Sequence, residues 1–144
     1  MAITIETGVH IDRSPEEVFD AIADVLASPE WIESVLEIRD YSGDPIGVGS
    51  TYKQVSKMLG KEFTIDIEVI TFEPSARNGE RFAGVIPGEM EITLEQVDGG
   101  TDVHIDAEIE PGGFFGLAAP LLKKSIQKQL SGDMNRLKEI LENQ

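Results

Sequence analysis

The chain of 144 residues reads as a single α+β domain. A curved antiparallel sheet of about seven strands wraps a long C-terminal helix, and two short helices follow the first strand. Three observations give this class. Leu122, Ile126, Leu130, Met134, Leu137 and Leu141 recur at steps of four and three, one side of a 3.6-residue helix, while Lys124, Lys128, Ser131, Asn135, Lys138 and Glu142 take the other side. From residue 36 to residue 110 no helical period occurs, and runs of alternating apolar and polar residues are separated by Gly, Pro and Asp. A twisted sheet with one apolar face must curl around something, and only the terminal helix is long enough.

In chain order, Ile3, Ile5, Thr7, Val9 and Ile11 alternate with polar residues and predict a half-buried strand with the odd positions inward. Ser14-Pro15-Glu16-Glu17 predicts a helix start, with a side-chain cap, proline at the first helical position and Glu17 completing a capping box. Val18, Ile22 and Val25 or Leu26 share a face with Phe19 beside them. That helix should reach about Ala27, where Ser28 and Pro29 open a shorter one through Trp31, Ile32 and Val35. Strands are expected over Leu36–Ser42, Val48–Leu59, Lys61–Glu73, Arg77–Ile86, Gly88–Val97 and Asp102–Glu110. The last two form a hairpin. A loop at Gly99 and Gly100 would set Leu94 against Ile105, and one at Asp98 and Gly99 would set it against Val103; both keep apolar opposite apolar. The terminal helical stretch runs from Pro111 to Gln144, and Phe114, Phe115, Leu117, Leu121 and Leu122 place apolar groups all round its beginning. That end needs cover or a ligand. Gly132, inside the helix, reads as a close helix-to-sheet contact.

The formal charge of −15 argues against nucleic-acid binding, which draws on Lys and Arg, and disfavours anionic membranes. Charge is uneven: residues 120–144 hold five basic and three acidic groups, whereas the rest holds seven and twenty-four. An acidic body thus carries a mildly basic helix. No apolar run is long enough for an integral membrane segment. The N-terminus lacks the basic-then-apolar order of a secretory signal, which predicts a cytoplasmic protein. Zero cysteines exclude disulfides, thiolate metal sites and thiol nucleophiles. No phosphate loop, nucleophile elbow or His-Glu-x-x-His motif occurs, so no cofactor is expected. No metal is expected either. His10 and His104 point outward without a second histidine at ligand spacing, and Glu89, Glu91, Glu108 and Glu110 read as a solvated outer face rather than a Ca²⁺ site. Oligomeric state is left open.

Several short motifs, in order and spacing, resemble the START-like superfamily, in particular its polyketide cyclase/dehydrase and lipid-transport branch. They are Ser14-Pro15-Glu16-Glu17-Val18-Phe19 with Asp24, Pro29-Glu30-Trp31, Val48-Gly49-Ser50-Thr51, Gly99-Gly100-Thr101, and Leu137-Lys138 with Leu141-Glu142. The resemblance covers nearly the whole chain. It implies a helix-grip fold, in which the sheet closes on the C-terminal helix around an apolar cavity that relatives use for lipids, sterols or aromatic compounds, in some cases for catalysis. No shared catalytic set defines the superfamily, and none is assigned.

The cavity wall is expected from the inward tracks Phe63, Ile65, Ile67, Val69, Met90, Ile92, Leu94 and Ile105, facing Leu122, Ile126 and Leu130. A filled core would show the same periodicity. Tyr52, Gln54 and Ser56 share one strand face, and Lys53 and Lys57 mark the other, with Thr51 and Val55, as the outside; the three polar groups therefore need partners within an apolar space. Trp31 is either a core anchor or, as the resemblance implies, a residue at the cavity mouth. Phe114 and Phe115, in the segment to Leu121, would form the other half of that portal. Ionisable groups that could act there are Tyr52, Arg81 and acids at the portal. The leading expectation is a binding or carrier domain for a small hydrophobic molecule, aromatic or lipid-like. A cyclase or dehydratase using the same cavity is the alternative and requires an ionisable group in the lining. A ligand-free interaction module is the third reading.

Overall fold

Alternation along the chain becomes one antiparallel sheet of seven strands in the computed structural model, which describes residues 2–43, 45–110 and 119–144. The strands are β1 (Ile3–Ile11), β2 (Val35–Arg39), β3 (Thr51–Met58), β4 (Lys61–Glu73), β5 (Arg77–Gly84), β6 (Gly88–Val97) and β7 (Gly100–Ile109). Their spatial order is β1-β7-β6-β5-β4-β3-β2. The helix α1 (Pro15–Ala23) and a 3-10 helix (Val25–Glu30) carry the chain from one sheet edge to the other, and α2 (Ala119–Glu142) lies against the concave side. This is the helix-grip arrangement. No helix among the described residues is long and apolar enough to cross a membrane.

The inward tracks fall where alternation puts them. Ile3, Ile5 and Ile11 of β1, Phe63 to Val69 of β4 at alternate positions, and Val103, Ile105, Ala107 and Ile109 of β7 are all buried. Leu94 pairs with Val103, so the β6–β7 turn is Asp98-Gly99, both with positive φ, the left-handed pair that a two-residue hairpin demands. One outward residue departs from the pattern. Val55, opposite Glu37 and Thr64, is buried although it shares a face with Lys53 and Lys57.

Several boundaries differ from expectation, each for a local reason. Helix α1 stops at Ala23 because Asp24 leaves helical geometry at ψ 76°, and the following turn is one 3-10 helix that contains Pro29 rather than starting at it. The Ser28 carbonyl closes it, accepting from Trp31 N at 3.1 Å and Ile32 N at 2.8 Å. The capping box is half formed: Ser14 Oγ accepts from Glu17 N at 3.2 Å, while the Glu17 carboxylate takes the Ser14 hydroxyl at 3.3 Å instead of a backbone N–H. Strand β2 begins at Val35, carries a bulge there, and ends before Asp40, whose φ of 52° turns the chain. Strand β3 starts only at Thr51 because Val48 and Gly49 form a turn, with φ of 94° at Gly49. Gly84, at φ 118°, ends β5 short of Ile86. Strand β7 begins at Gly100, and the segment from Pro111 to Ala118 lies outside the described residues.

Helix α2 is tied along the open edge of β1. Gln127 Nε2 donates to the Glu6 carbonyl at 3.1 Å and Lys138 Nζ to the His10 carbonyl at 2.6 Å. Thr7 and Ser131 hydroxyls meet at 2.8 Å, and Asp12 N donates to the Glu142 carboxylate at 2.8 Å. Two apolar clusters follow along the helix. Leu122 and Ile126 belong to one, with Ile3, Ile5, Phe63 and Ile65; Met134, Leu137 and Leu141 belong to the other, with Ile11, Val18, Ile22 and Trp31. Met90 and Leu130 pack against both.

Gly132 is not the close contact that its place in the helix suggested. A Cβ built there would meet nothing within 4 Å; the helix meets the strand through the long side chains of Gln127 and Lys138 and the Ser131 hydroxyl. Gly132→Ala should therefore stabilise the fold by about 1 kcal/mol, the helix-propensity difference, read as a higher urea midpoint. A lowered midpoint would show that the position is crowded.

Candidate functional site: a polar-edged cavity between sheet and helix

A cavity of about 150 Å³ lies where the two apolar clusters meet. Of the expected site residues, Trp31, Tyr52, Gln54, Ser56, Phe63, Ile65, Met90, Ile92 and Ile126 line it, as do Ile105 and Leu130. Ile67 and Leu122 are buried in the adjoining core and are not part of the lining. Ile67 sits opposite Tyr52 and Phe82, and Leu122 one helical turn before Ile126. Phe114 and Phe115 fall outside the described residues, and Leu121, at the far end of that segment, is exposed.

The three inward polar residues of β3 find different solutions. Gln54 Nε2 donates to Ser56 Oγ at 3.1 Å, so these two answer each other. The Tyr52 hydroxyl donates to the Glu80 carboxylate across β4. Burial, and then the charge of Glu80, hold the Tyr52 hydroxyl well above its ordinary pKa. Burial raises the Glu80 carboxyl too, against the lowering effect of the Tyr52 hydrogen bond. The shared proton therefore stays on the tyrosine, which remains the donor.

Strand β5 and helix α2 contribute groups that were not among the expected site residues. Asn78, Glu80 and Phe82 line the cavity from one face of β5, while Arg77 and Arg81 point out. Arg81 is exposed, 3.4 Å from Glu89 and 3.8 Å from Glu68, and so is no cavity group. The alternation of Asn78, Glu80 and Phe82 with Arg77 and Arg81 was the available signal. Asp133 lines the cavity from α2 and is only 1% exposed. It lies seven residues after Ile126 and four before Leu137, on the apolar stripe, so its position was also readable.

Asp133 ties α2 to the turn that follows the 3-10 helix. Its Oδ1 accepts from Glu33 N at 3.1 Å and from Arg136 at 3.3 Å, and the same Arg136 nitrogen donates to the Trp31 carbonyl at 2.7 Å. Oδ2 is buried and has no partner among the described residues. Among the described residues, Trp31 Nε1 and Asn78 Oδ1 are in the same condition. All three residues belong to the cavity wall. Buried polar atoms are nearly always satisfied, and leaving one unmet costs about 1–3 kcal/mol, so three around one apolar space are an unusual concentration.

The outer face is different in kind. Glu91 and Glu89 are met by Arg77 at 3.1 Å and Arg81 at 3.4 Å. The ligand atoms of Glu6, His104 and Asp106, all exposed, lie within 4.8 Å of one another. His10 is bound to Asp102 at 2.6 Å and to Asp12 at 3.1 Å, which raises its pKa.

Comparison with known proteins agrees with this architecture. The family model described as "Polyketide cyclase / dehydrase and lipid transport" matches residues 2–142. A START superfamily protein from Mycobacterium smegmatis superposes with a TM-score of 0.82 at 14% identity, covering 98% of both chains. The Zhui aromatase/cyclase from Streptomyces sp. R1128 superposes at 0.81 and 15% identity, covering 99% of this chain and 94% of that one. At these identities the likeness is one of fold. Uncharacterized proteins of Mycobacterium bovis and Mycobacterium tuberculosis are 32% identical over 74 residues, 51% of this chain. The matched region spans 42% of the length of those relatives.

Burial is the main cause that raises the Asp133 pKa from 3.8 to about 6; the Glu33 N–H and the Arg136 guanidinium oppose it, and the nearby Glu33 carboxylate adds to it. Between these two values the folded chain keeps a proton that the unfolded chain has lost, so this group's contribution to stability falls as pH rises through that window. Asp133→Asn cannot ionise. The stability difference between variant and wild type should move in the variant's favour from pH 4 to pH 7, in paired urea titrations. A difference that stays level across that range would place Asp133 in a wetter site.

Proposed function

The chain belongs to the polyketide cyclase / dehydrase and lipid transport family, and on that premise we propose that it binds a small, mainly apolar molecule in the cavity between the sheet and α2. The observation that carries this reading is the set of three buried atoms without a partner among the described residues, Trp31 Nε1, Asn78 Oδ1 and Asp133 Oδ2, around a wall in which Ile, Phe, Met and Leu side chains predominate. A few placed polar groups in an apolar hollow are what orient a guest and select it. The volume, about 150 Å³, suits a body on the scale of one aromatic ring. The expected role is that of a carrier or binding domain for an aromatic or lipid-like compound.

A cyclase or dehydratase role is the second reading, and a separate observation favours it. Two carboxylates, Glu80 and Asp133, and the Tyr52 hydroxyl line the same space, which satisfies the requirement that such chemistry has for an ionisable group at the substrate. Carriage and catalysis differ in turnover. A synthetic oligo-β-ketone thioester should be consumed with the appearance of a conjugated product under the second reading and bound unchanged under the first.

Native mass spectrometry of the purified chain, with displacement of a neutral apolar fluorophore, tests the binding reading itself. Retained or added small-molecule mass and displaceable fluorescence are expected, with Ile126→Trp, which fills the cavity, abolishing both. A chain that takes up no apolar compound removes both readings.

A further inference from the structure

We propose that the cavity selects a guest whose buried polar end is a hydrogen-bond donor, an amine or a hydroxyl, and excludes one that ends in a carboxylate. This rests on the binding reading above and specifies the ligand class it admits. The described lining contains two carboxylates, Glu80 from β5 and Asp133 from α2, and no Lys, Arg or His. The cation in contact with Asp133 is already engaged: Arg136 holds the Trp31 carbonyl at 2.7 Å, Asp133 Oδ1 at 3.3 Å and Glu33 at 3.4 Å.

The vacant hydrogen-bonding capacity has the same sign. Asp133 Oδ2 and Asn78 Oδ1 are acceptors, and Trp31 Nε1 is the one donor among the three unpartnered atoms. A hydroxyl can give one hydrogen and accept another, and an ammonium can give several, so either can answer Asp133 together with a neighbour. A carboxylate brings only acceptors. It would leave both vacant acceptors unmet and would set a third negative charge in a poorly solvated space beside Asp133 and Glu80. Discrimination here comes from repulsion as much as attraction, which is how a small apolar pocket separates guests of equal size. Asp133 is well suited to the part. Its Oδ1 is fixed by the Glu33 N–H and Arg136, so Oδ2 is held in place without being used.

Four compounds with one ring and a two-carbon arm make the test: ethylbenzene, 2-phenylethanol, 2-phenylethylamine and phenylacetate, titrated into the full chain at pH 7.5. Trp31 is the only tryptophan, so its indole N–H gives a single cross-peak in the ¹⁵N spectrum and reports on the cavity directly. The amine and the alcohol should bind more tightly than ethylbenzene, and phenylacetate should be weaker than the amine by about 10-fold or more. In Asp133→Asn the affinity ratio of amine to ethylbenzene should fall toward one. If that variant does not fold, Glu80→Gln carries the same comparison and should also reduce the ratio. Phenylacetate binding as well as the amine, while ethylbenzene still binds, would overturn the selectivity and leave the binding reading standing. An unchanged ratio in the variants would overturn it too. Silence from all four compounds would overturn both.

Discussion

The lateral bond between α2 and β1 sets the geometry of the whole domain. A seven-stranded open sheet has two edges, and the edge at β1 presents outward carbonyls that would otherwise invite another strand. Gln127 and Lys138 answer the carbonyls of Glu6 and His10, and the Thr7–Ser131 contact pins the helix between them. This lashing fixes the rotation and the height of α2 over the sheet. With those settled, Ile126, Leu130 and Asp133 have only one place to point.

Against that frame the cavity is a compromise between two apolar clusters that do not quite join. Met90 and Leu130 touch both clusters, but the remaining volume is edged by polar groups in place of further hydrocarbon. Filling it with hydrocarbon would give a more stable protein, because dry voids and unmet acceptors both subtract from a margin of only about 5–15 kcal/mol. The chain keeps instead a tyrosine–carboxylate pair on the sheet side and a braced aspartate on the helix side. The two walls place their charge on opposite sides of one small space, and the proposed binding role rests on that arrangement.

Much of this was legible in the chain. The period-2 tracks of β1, β4, β6 and β7 and the stripe from Leu122 to Leu141 specify which residues turn inward, because a half-buried strand or helix has only one way to hide its apolar side. Asn78, Glu80 and Asp133 also obey those periods, but a polar residue at an inward position breaks the apolar repeat that marks a buried face. Other features depend on distant parts of the chain and leave no local mark. The 3-10 geometry around Pro29, the burial of Val55 and the lack of a partner at Trp31 Nε1 are of this kind. So is the open space beside Gly132, which no repeat along α2 reveals.

The contact of Arg136 with Trp31, Asp133 and Glu33 reaches from the cavity wall to the surface. Asp133 is sealed inside, whereas Glu33 is largely in solvent, and one guanidinium spans the two. Any group that draws on the free oxygen of Asp133 also changes what that carboxylate offers to Arg136, and so changes the grip on the carbonyl that ends the 3-10 helix. Arg136 thereby links the cavity wall to an outer patch of α2 and the segment beside it.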